Sequence, residues 1–130
     1  MTDEKLVALA KEAMEHAYVP YSHFKVGAAL LAKDGTVFKG CNVENASYGA
    51  TNCAERTAIF KAVSEGYREF DAIAIVASSG DFASPCGICR QVLAEFMPDG
   101  KVILDSDEKG MVTYFVRELL PSGFSAKDIK

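Results

Sequence analysis

The stretch DAIAIVASSGDFASPCGICRQVLAEFMPDGKVIL, residues 71–104, describes a strand, a helix and a second strand in succession. The apolar run at 71–78 is typical of a buried strand, and Ser84 and Pro85 suit the cap and the first position of a helix. We expect that helix to reach Met97, after which the PDG turn leads into the short strand KVIL. Because such units build parallel strand pairs with right-handed crossovers, the stretch predicts an α/β fold with helices on both faces of a sheet.

The segments on either side of this unit extend the alternation of helices and strands. Apolar spacing and turn residues predict an amphipathic helix from Thr2 that is stopped by Pro20, strands at 24–32 and 36–41, a loop at 42–52, a helix at 53–65, a strand at 111–116 and a short helical turn before a polar tail. The order α-β-β-α-β-α-β-β contains no repeat or linker and predicts one domain over residues 1–130.

The charge balance limits the class of partner. The chain has 14 Lys and Arg against 18 Asp and Glu, a net charge of −4, whereas nucleic-acid and anionic-membrane surfaces need clustered basic residues. We therefore expect a small-molecule substrate, and neither nucleic acid nor membrane as a partner.

The N-terminal segment is too interrupted by charge for a signal sequence, and no run of about 18 apolar residues occurs, so we expect a cytoplasmic location. In that reducing compartment, four cysteines indicate ligands, nucleophiles or core thiols rather than disulfides.

Three cysteines lie at the predicted starts of two helices. Cys86 and Cys89 have the spacing that places residues i and i+3 on one helix face, so one ion can bind both sulfurs. Cys53 opens the other helix, and the helix dipoles favour ionised thiols at both places. Adjacent parallel strands before these helices would bring the two helix starts side by side at one edge of the sheet. The pattern therefore predicts a zinc site with three sulfur ligands from two helices.

Three protein ligands leave the fourth tetrahedral position of zinc open for water, which is typical of a catalytic site. No fourth Cys or His lies at a plausible spacing, since His16 and His23 are distant and Cys41 ends a strand. Glu55 lies beside the ligands without completing the set, and we interpret it as the general base that moves protons. Three thiolates give the site excess negative charge, which Arg56 could offset by donating hydrogen bonds to the sulfurs.

Each part of this pattern is weak alone, because Cys-x-x-Cys also occurs in redox motifs and in structural zinc sites. The combination of CAE at 53–55 with PCGIC at 85–89 is more specific. Zinc deaminases combine a ligand two residues before a glutamate with a Pro-Cys-x-x-Cys segment, and one variant uses three cysteines.

The chain resembles the small homotetrameric cytidine deaminases that act on free nucleosides. The likeness extends from YVPYSHFKVGAAL (18–30) through GCNVENASYGATNCAERTAIFKAVSEG (40–66) to SPCGICRQVLAEF (84–96) and a phenylalanine near the C-terminus. It implies a three-layer α/β/α sandwich around a mixed five-stranded sheet, and a homotetramer whose sites are shared between subunits. It also implies one Zn²⁺ per subunit and hydrolysis of cytidine and deoxycytidine to uridine and deoxyuridine, with release of ammonia, in pyrimidine salvage.

The resemblance assigns roles to individual residues. Cys53, Cys86 and Cys89 would hold zinc, and Glu55 would pass a proton from the attacking water to N3 of the base and then to the departing amino group. Asn42 and Glu44 would bind the ribose hydroxyls. Phe24 would pack beside the pyrimidine, and the Ala54 amide would contact the base carbonyl. Ala46, Tyr48 and Phe124 would reach a neighbouring subunit's site, where Phe124 would cover the base.

Simpler interpretations remain open for several of these residues. Asn42 could only shape the loop, as Asn often does. Glu44 could be a solvated charge, and Phe24, Tyr48 and Phe124 could be packing or loop aromatics.

Other functions also fit parts of the pattern. The same chemistry could act on an aminopyrimidine nucleoside antibiotic or on a base inside RNA, although the acidic charge and a cysteine at the first ligand position favour free nucleosides. A zinc-stabilised binding module without catalysis is a further alternative, as is a thioredoxin-like redox protein. The redox alternative leaves Cys53 and Glu55 without a role.

Overall fold

The computed structural model describes residues 1–129 and contains the helices and strands in the predicted order. They are α1 (Asp3–Met14), β1 (Val26–Ala32), β2 (Val37–Cys41), α2 (Ala54–Ser64), β3 (Phe70–Ala77), α3 (Gly87–Phe96), β4 (Lys101–Ser106), β5 (Gly110–Phe115) and α4 (Val116–Leu119). Short 3-10 turns occur at Tyr48–Ala50 and Ala126–Asp128. Within residues 1–129, no helix is both long enough and apolar enough to cross a membrane.

The strands form one five-stranded sheet in the order β2-β1-β3-β4-β5. β3 and β4 are parallel, as the helix between them predicts, and the other three neighbouring pairs are antiparallel. The sheet is therefore mixed, which confirms the arrangement that the family resemblance implies.

Helices cover both faces of this sheet and make the three-layer sandwich that was predicted. On one face, α1 buries its apolar side against small and branched side chains of the central strands, in a cluster that contains Leu6, Val7, Ala10, Ala29, Ala74 and Ile103. On the other face, α2 and α3 share a larger core that contains Ala58, Ile59, Leu30, Ile73, Ile75 and Leu93. Since neighbouring residues of a strand point to opposite faces, β1 supplies Ala29 to one core and Leu30 to the other.

Two expectations about the helix starts are wrong. The first placed Ser84 as the cap and Pro85 as the first residue of a helix, whereas Cys86 is the N-cap of α3. Its sulfur accepts a hydrogen bond from the Cys89 amide, 3.5 Å away, and so satisfies one of the free donors of the first turn.

The second wrong expectation concerns the strands that lead to the two helices. β2 and β3 run in the same direction but are not adjacent, because β1 lies between them. The helix starts still meet, since both strands end at the same edge of the sheet and α2 and α3 pack beside each other on one face.

Candidate metal centre and active site

The structure brings together the three thiols that the sequence singles out. The sulfur atoms of Cys53, Cys86 and Cys89 all lie within 4.8 Å of one another, and those of Cys53 and Cys86 are 3.9 Å apart. Two sulfurs bound to one tetrahedral zinc at about 2.3 Å would be about 3.8 Å apart, so the cluster fits that ion. Within residues 1–129, no fourth histidine, cysteine or carboxylate belongs to the group, which leaves one tetrahedral position open.

Helix ends position these sulfurs. Cys53 is the N-cap of α2 and Cys86 is the N-cap of α3, so both side chains stand beside free backbone amides. Cys89 lies in the first turn of α3 and is fully buried. Because the positive ends of two helix dipoles meet here, the site suits thiolate ligands.

The protonation of the free cluster is uneven. A hydrogen bond from the Cys89 thiol, aided by Arg56, lowers the pKa of Cys53 from its ordinary value to about 5. The same hydrogen bond, together with burial, raises the pKa of Cys89. Zinc binds deprotonated sulfurs, so metal binding would displace the thiol protons that remain in the cluster.

Glu55 is a buried carboxyl next to these sulfurs. It occupies the first turn of α2, and only 4% of its surface is exposed. Burial raises the pKa of Glu55 from its ordinary value to about 7. A carboxyl with a pKa near neutrality can both accept and return a proton at neutral pH, which a solvated glutamate does poorly.

Arg56 compensates the negative charge of the cluster. Its Nη2 donates a hydrogen bond to the Cys53 sulfur at 3.3 Å, as expected from the sequence. Its Nε is buried and has no hydrogen-bond partner in the described part of the chain. The guanidinium therefore points into the site, where it can stabilise thiolates.

The segment 42–44 lies between the active-site helix and the loop that carries Phe24. Val43 forms a bridge to Asn52, the residue before Cys53, and a second bridge to Tyr18. Asn42 and Glu44, two residues apart on an extended chain, therefore share one side of the segment. The pairing ties the predicted sugar-binding residues to the start of α2.

Asn42 and Glu44 both make hydrogen bonds within the chain. The Asn42 Nδ2 donates to the Phe24 carbonyl at 2.8 Å, and its Oδ1 accepts from the Val26 amide at 2.9 Å. The Glu44 Oε1 accepts from the Tyr21 and Ser22 amides at 3.0 and 3.1 Å. Both side chains thus shape the loop around Phe24, and each keeps hydrogen-bonding capacity for a ligand.

Comparison with known proteins identifies the family to which this site belongs. Residues 1–105, which include all three cysteines and Glu55, match the family model for the cytidine and deoxycytidylate deaminase zinc-binding region. The chain belongs to the cytidine and deoxycytidylate deaminase family. It is 55% identical over 130 residues to the cytidine deaminase of Sporosarcina psychrophila, over 99% of this chain and 96% of that protein.

A solved structure of a cytidine deaminase, from Burkholderia pseudomallei, superposes with a TM-score of 0.91 at 52% identity and covers 95% of this chain and 100% of its own. A more distant relative, the blasticidin-S deaminase of Bacillus cereus, is 34% identical over 127 residues, which are 92% of this chain and 89% of that protein. The matched region is a zinc-binding one, in agreement with the donor set found here.

The other residues predicted to bind substrate in this chain differ in how exposed they are. Ala54 is the buried first residue of α2, next to the metal cluster. Phe24 is half-exposed, while Ala46 and Tyr48 are exposed on the loop before α2, with 86% of Tyr48 accessible.

Phe124 lies apart from the site of its own chain. Its side chain is 58% exposed and lines a cleft of about 490 Å³ beside the second half of α3 and α4, to which none of the metal-site residues contributes. Its carbonyl accepts a hydrogen bond from the Gln91 side chain at 2.8 Å. Within one chain, Phe124 therefore does not lie over the metal centre of that chain.

Sequence reasoning missed residues that hold the site in place. Thr57 donates to the Cys53 carbonyl at 3.2 Å and accepts from the Asn52 side chain at 3.0 Å. Arg90 donates to the Pro85 carbonyl at 2.7 Å, just before the α3 cap. Ser22 contacts Glu44 through its hydroxyl. The partners of Thr57 and Arg90 lie only four or five residues away in the sequence, but no motif marks these contacts. The partner of Ser22 lies 22 residues away and is brought near by the fold.

Proposed function

We propose that the protein is a zinc-dependent cytidine deaminase that hydrolyses cytidine and deoxycytidine to uridine and deoxyuridine, with release of ammonia. One observation carries the proposal: a buried glutamate whose pKa is near neutrality lies beside three sulfurs from two helix starts, with one tetrahedral position left open. A structural zinc site would close that position with a fourth ligand.

Cys53, Cys86 and Cys89 would hold the ion. Zinc, when bound there, supplies a Lewis acid that makes hydroxide available from water at neutral pH. Glu55 takes the proton from the attacking water and delivers it to N3 of the pyrimidine, which makes C4 electrophilic. After the water oxygen has added to C4, Glu55 moves the second proton of that water from the new hydroxyl to the amino group. The C4–N bond then breaks, and ammonia leaves.

The other assigned residues would bind and orient the nucleoside. The free amide of Ala54 at the start of α2 is a donor for the base carbonyl, and Phe24 offers an exposed ring beside the base. The remaining capacity of Asn42 and Glu44 suits sugar hydroxyls, which both donate and accept. Arg56 would balance the charge of the thiolates so that their negative charge does not suppress ionisation of water.

We also propose a homotetramer with shared active sites. The exposure of Ala46, Tyr48 and Phe124 supports it, because large aromatic surfaces that are open in one chain are typical of interfaces. Each site would then receive Phe124 from another subunit. Four free thiols fit a reducing compartment, so we place the enzyme in the cytoplasm, in pyrimidine salvage.

The test is deamination by the zinc-loaded protein and by Glu55→Gln. We expect loss of cytidine absorbance with stoichiometric ammonia, one zinc per chain in both proteins, and a fall in kcat of about 10²–10⁴-fold in the variant. Glu65→Gln, at the other end of α2 and exposed, is the matched control and should retain full activity. Near-full turnover by Glu55→Gln with zinc retained would contradict the proposed mechanism.

A second substrate class deserves the same assay. The relationship to a blasticidin-S deaminase supports an aminopyrimidine nucleoside antibiotic as an alternative substrate of the same chemistry. Rates on cytidine, blasticidin S, cytidine monophosphate and a short oligonucleotide would separate the candidates, and we expect cytidine to be fastest. A zinc-loaded protein inert on all of them would favour a binding module.

A further inference from the structure

The Ser22 hydroxyl connects two groups of the proposed nucleoside site. It donates a hydrogen bond to Oε2 of Glu44 and accepts one from the Phe24 amide at 3.0 Å. The Ser22 amide donates to Oε1 of the same carboxylate at 3.1 Å. One residue thus contacts both oxygens of Glu44 and the backbone of Phe24.

These hydrogen bonds limit how Glu44 can meet a ligand. A carboxylate has about four acceptor positions, and three are taken by the Tyr21 amide, the Ser22 amide and the Ser22 hydroxyl. One position remains, on Oε2, and the Ser22 hydroxyl decides which side of that oxygen it occupies. The Ser22 hydrogen bond is also the main reason why the pKa of Glu44 lies below its ordinary value, because the bond stabilises the ionised carboxylate.

The backbone between Ser22 and Phe24 needs the same support. His23 has φ of 59°, in the left-handed region, a backbone conformation that is strained for residues with a Cβ. The hydrogen bond between the Phe24 amide and the Ser22 hydroxyl closes this turn. Without the hydroxyl, both the turn that presents Phe24 and the carboxylate of Glu44 would lose a constraint.

We propose that Ser22 is a positioning residue for nucleoside specificity, which orients Glu44 toward a sugar hydroxyl and holds Phe24 in place for the base. The inference rests on the proposed deaminase function. Within residues 1–129, Ser22 makes no hydrogen bond to the three cysteines or to Glu55, so we expect it to act on substrate binding and to leave the proton transfer unchanged.

The experiment compares wild type, Ser22→Ala, Ser22→Thr and Ser78→Ala on cytidine and on 2′,3′-dideoxycytidine, which lacks both ring hydroxyls. Ser78 is the matched control, because its hydroxyl accepts from the Lys25 amide in the same loop and makes no hydrogen bond to Glu44 or Phe24. Zinc content is measured in every protein.

We expect Ser22→Ala to lower kcat/KM for cytidine about tenfold, mainly through KM, since a hydrogen bond to a charged group is lost. The effect on dideoxycytidine should be about threefold or less, so the preference for the hydroxylated sugar falls. Ser22→Thr keeps the hydroxyl and should retain the wild-type ratio of kcat/KM on cytidine to kcat/KM on dideoxycytidine. Ser78→Ala should resemble wild type on both substrates.

Equal losses on both substrates in Ser22→Ala would show a merely structural role and overturn the inference, as would unchanged kinetics. If Ser22→Ala is not recovered folded with zinc, Ser22→Cys, which keeps the size with a weak donor, must show the same loss of preference, or the inference fails. Absence of deamination by wild type itself would overturn the proposed function, and the inference with it.

Discussion

At the scale of single residues, the site depends on how charge is distributed among three thiols, a carboxyl and a guanidinium. Cys53 has a pKa of about 5 because Cys89 and Arg56 donate hydrogen bonds to its sulfur. Glu55 has a pKa of about 7 because it is buried. The pKa of the thiol is lowered, which suits a metal ligand, and the pKa of the carboxyl is raised, which suits a group that carries protons. Such opposite pKa shifts in neighbouring groups are typical of catalytic sites.

The thiol shifts predict a difference in alkylation after zinc is removed. Between pH 6 and pH 7 the pH is above the pKa of Cys53, so this residue stays a thiolate. Its rate of labelling by iodoacetamide should therefore change little with pH. Burial raises the pKa of Cys41, so its thiolate fraction and labelling rate should fall about tenfold from pH 7 to pH 6.

Mass spectrometry of the labelled peptides measures both rates in the same sample, with Cys41 as the internal reference. Before chelation, Cys53 should be protected. A parallel tenfold fall at the two cysteines would show that the Cys53 thiol is not acidic, and would contradict the electrostatic description of the cluster.

The guanidinium of Arg56 predicts a loss of metal affinity. Arg56→Ala removes the hydrogen bond to the Cys53 sulfur, and we expect zinc affinity to fall about 10–100-fold, measured by competition with a chelator. Arg68→Ala is the control, because that side chain donates only to backbone carbonyls at the far end of α2. Equal affinities in Arg56→Ala and wild type would leave Arg56 as a surface residue without influence on the metal.

At the scale of elements, two glycines allow helices to lie close to the sheet. A Cβ at Gly40 on β2 would be 2.5 Å from the Ala58 amide nitrogen and 2.6 Å from the Ala54 carbonyl oxygen of α2. A Cβ at Gly27 on β1 would be 2.1 Å from the Ala10 carbonyl oxygen of α1. Each glycine thus sets the height of one helix above the sheet, and α2 is the helix that carries Glu55.

We predict that Gly40→Ala and Gly27→Ala each lower the free energy of unfolding by about 1–3 kcal/mol or more, through overpacking. Gly40→Ala should also reduce kcat in the folded, zinc-loaded protein, because it displaces the start of α2. Gly27→Ala displaces α1 on the opposite face and should lose stability with little loss of kcat. Denaturant unfolding and kinetics of both variants test this, and equal kcat losses would show that helix placement is not what Gly40 controls.

Much of the architecture follows from the sequence, because it depends on local patterns. The apolar run at 71–78 and the following helix predict the parallel pair of β3 and β4. The small and apolar residues at 24–32 predict a strand, which the structure places at Val26–Ala32. The strand order did not follow, since nothing local shows that β1 inserts between β2 and β3. The cap of α3 was misplaced because Ser84-Pro85 is a good start signal, yet a thiol one residue later takes the first amide hydrogen bond.

The same contrast holds for the candidate site. Cys53, Cys86, Cys89 and Glu55 were found because metal ligands and their acid have a recognisable spacing. Ser22 was not found, because its importance comes from contacts to residues up to 22 positions away, which no spacing reveals.

At the scale of the whole molecule, one continuous sheet joins both helical layers, and a single domain over residues 1–130 remains our expectation. The site is open in one chain, and its proposed aromatic cover, Phe124, lines a separate cleft beside the second half of α3 and α4. A homotetramer would reconcile these observations, and light scattering should then give a mass near four times 14.0 kDa.

Shared sites predict complementation between two defective chains. Phe124→Ala should lower kcat/KM about tenfold through lost stacking on the base, and Glu55→Gln should lower kcat about 10²–10⁴-fold. In co-refolded mixtures, a site with intact Glu55 can receive Phe124 from the other chain, so activity per intact Glu55 should rise toward wild type. No recovery above that of the separate variants would mean that Phe124 acts within its own chain or plays no part.

Zinc K-edge absorption spectroscopy of the metal-loaded protein tests the central claim most directly, because it counts the atoms bound to the ion. The account predicts three sulfur neighbours at about 2.3 Å and one oxygen or nitrogen neighbour at about 2.0 Å. Four sulfur neighbours, or fewer than three, would contradict it.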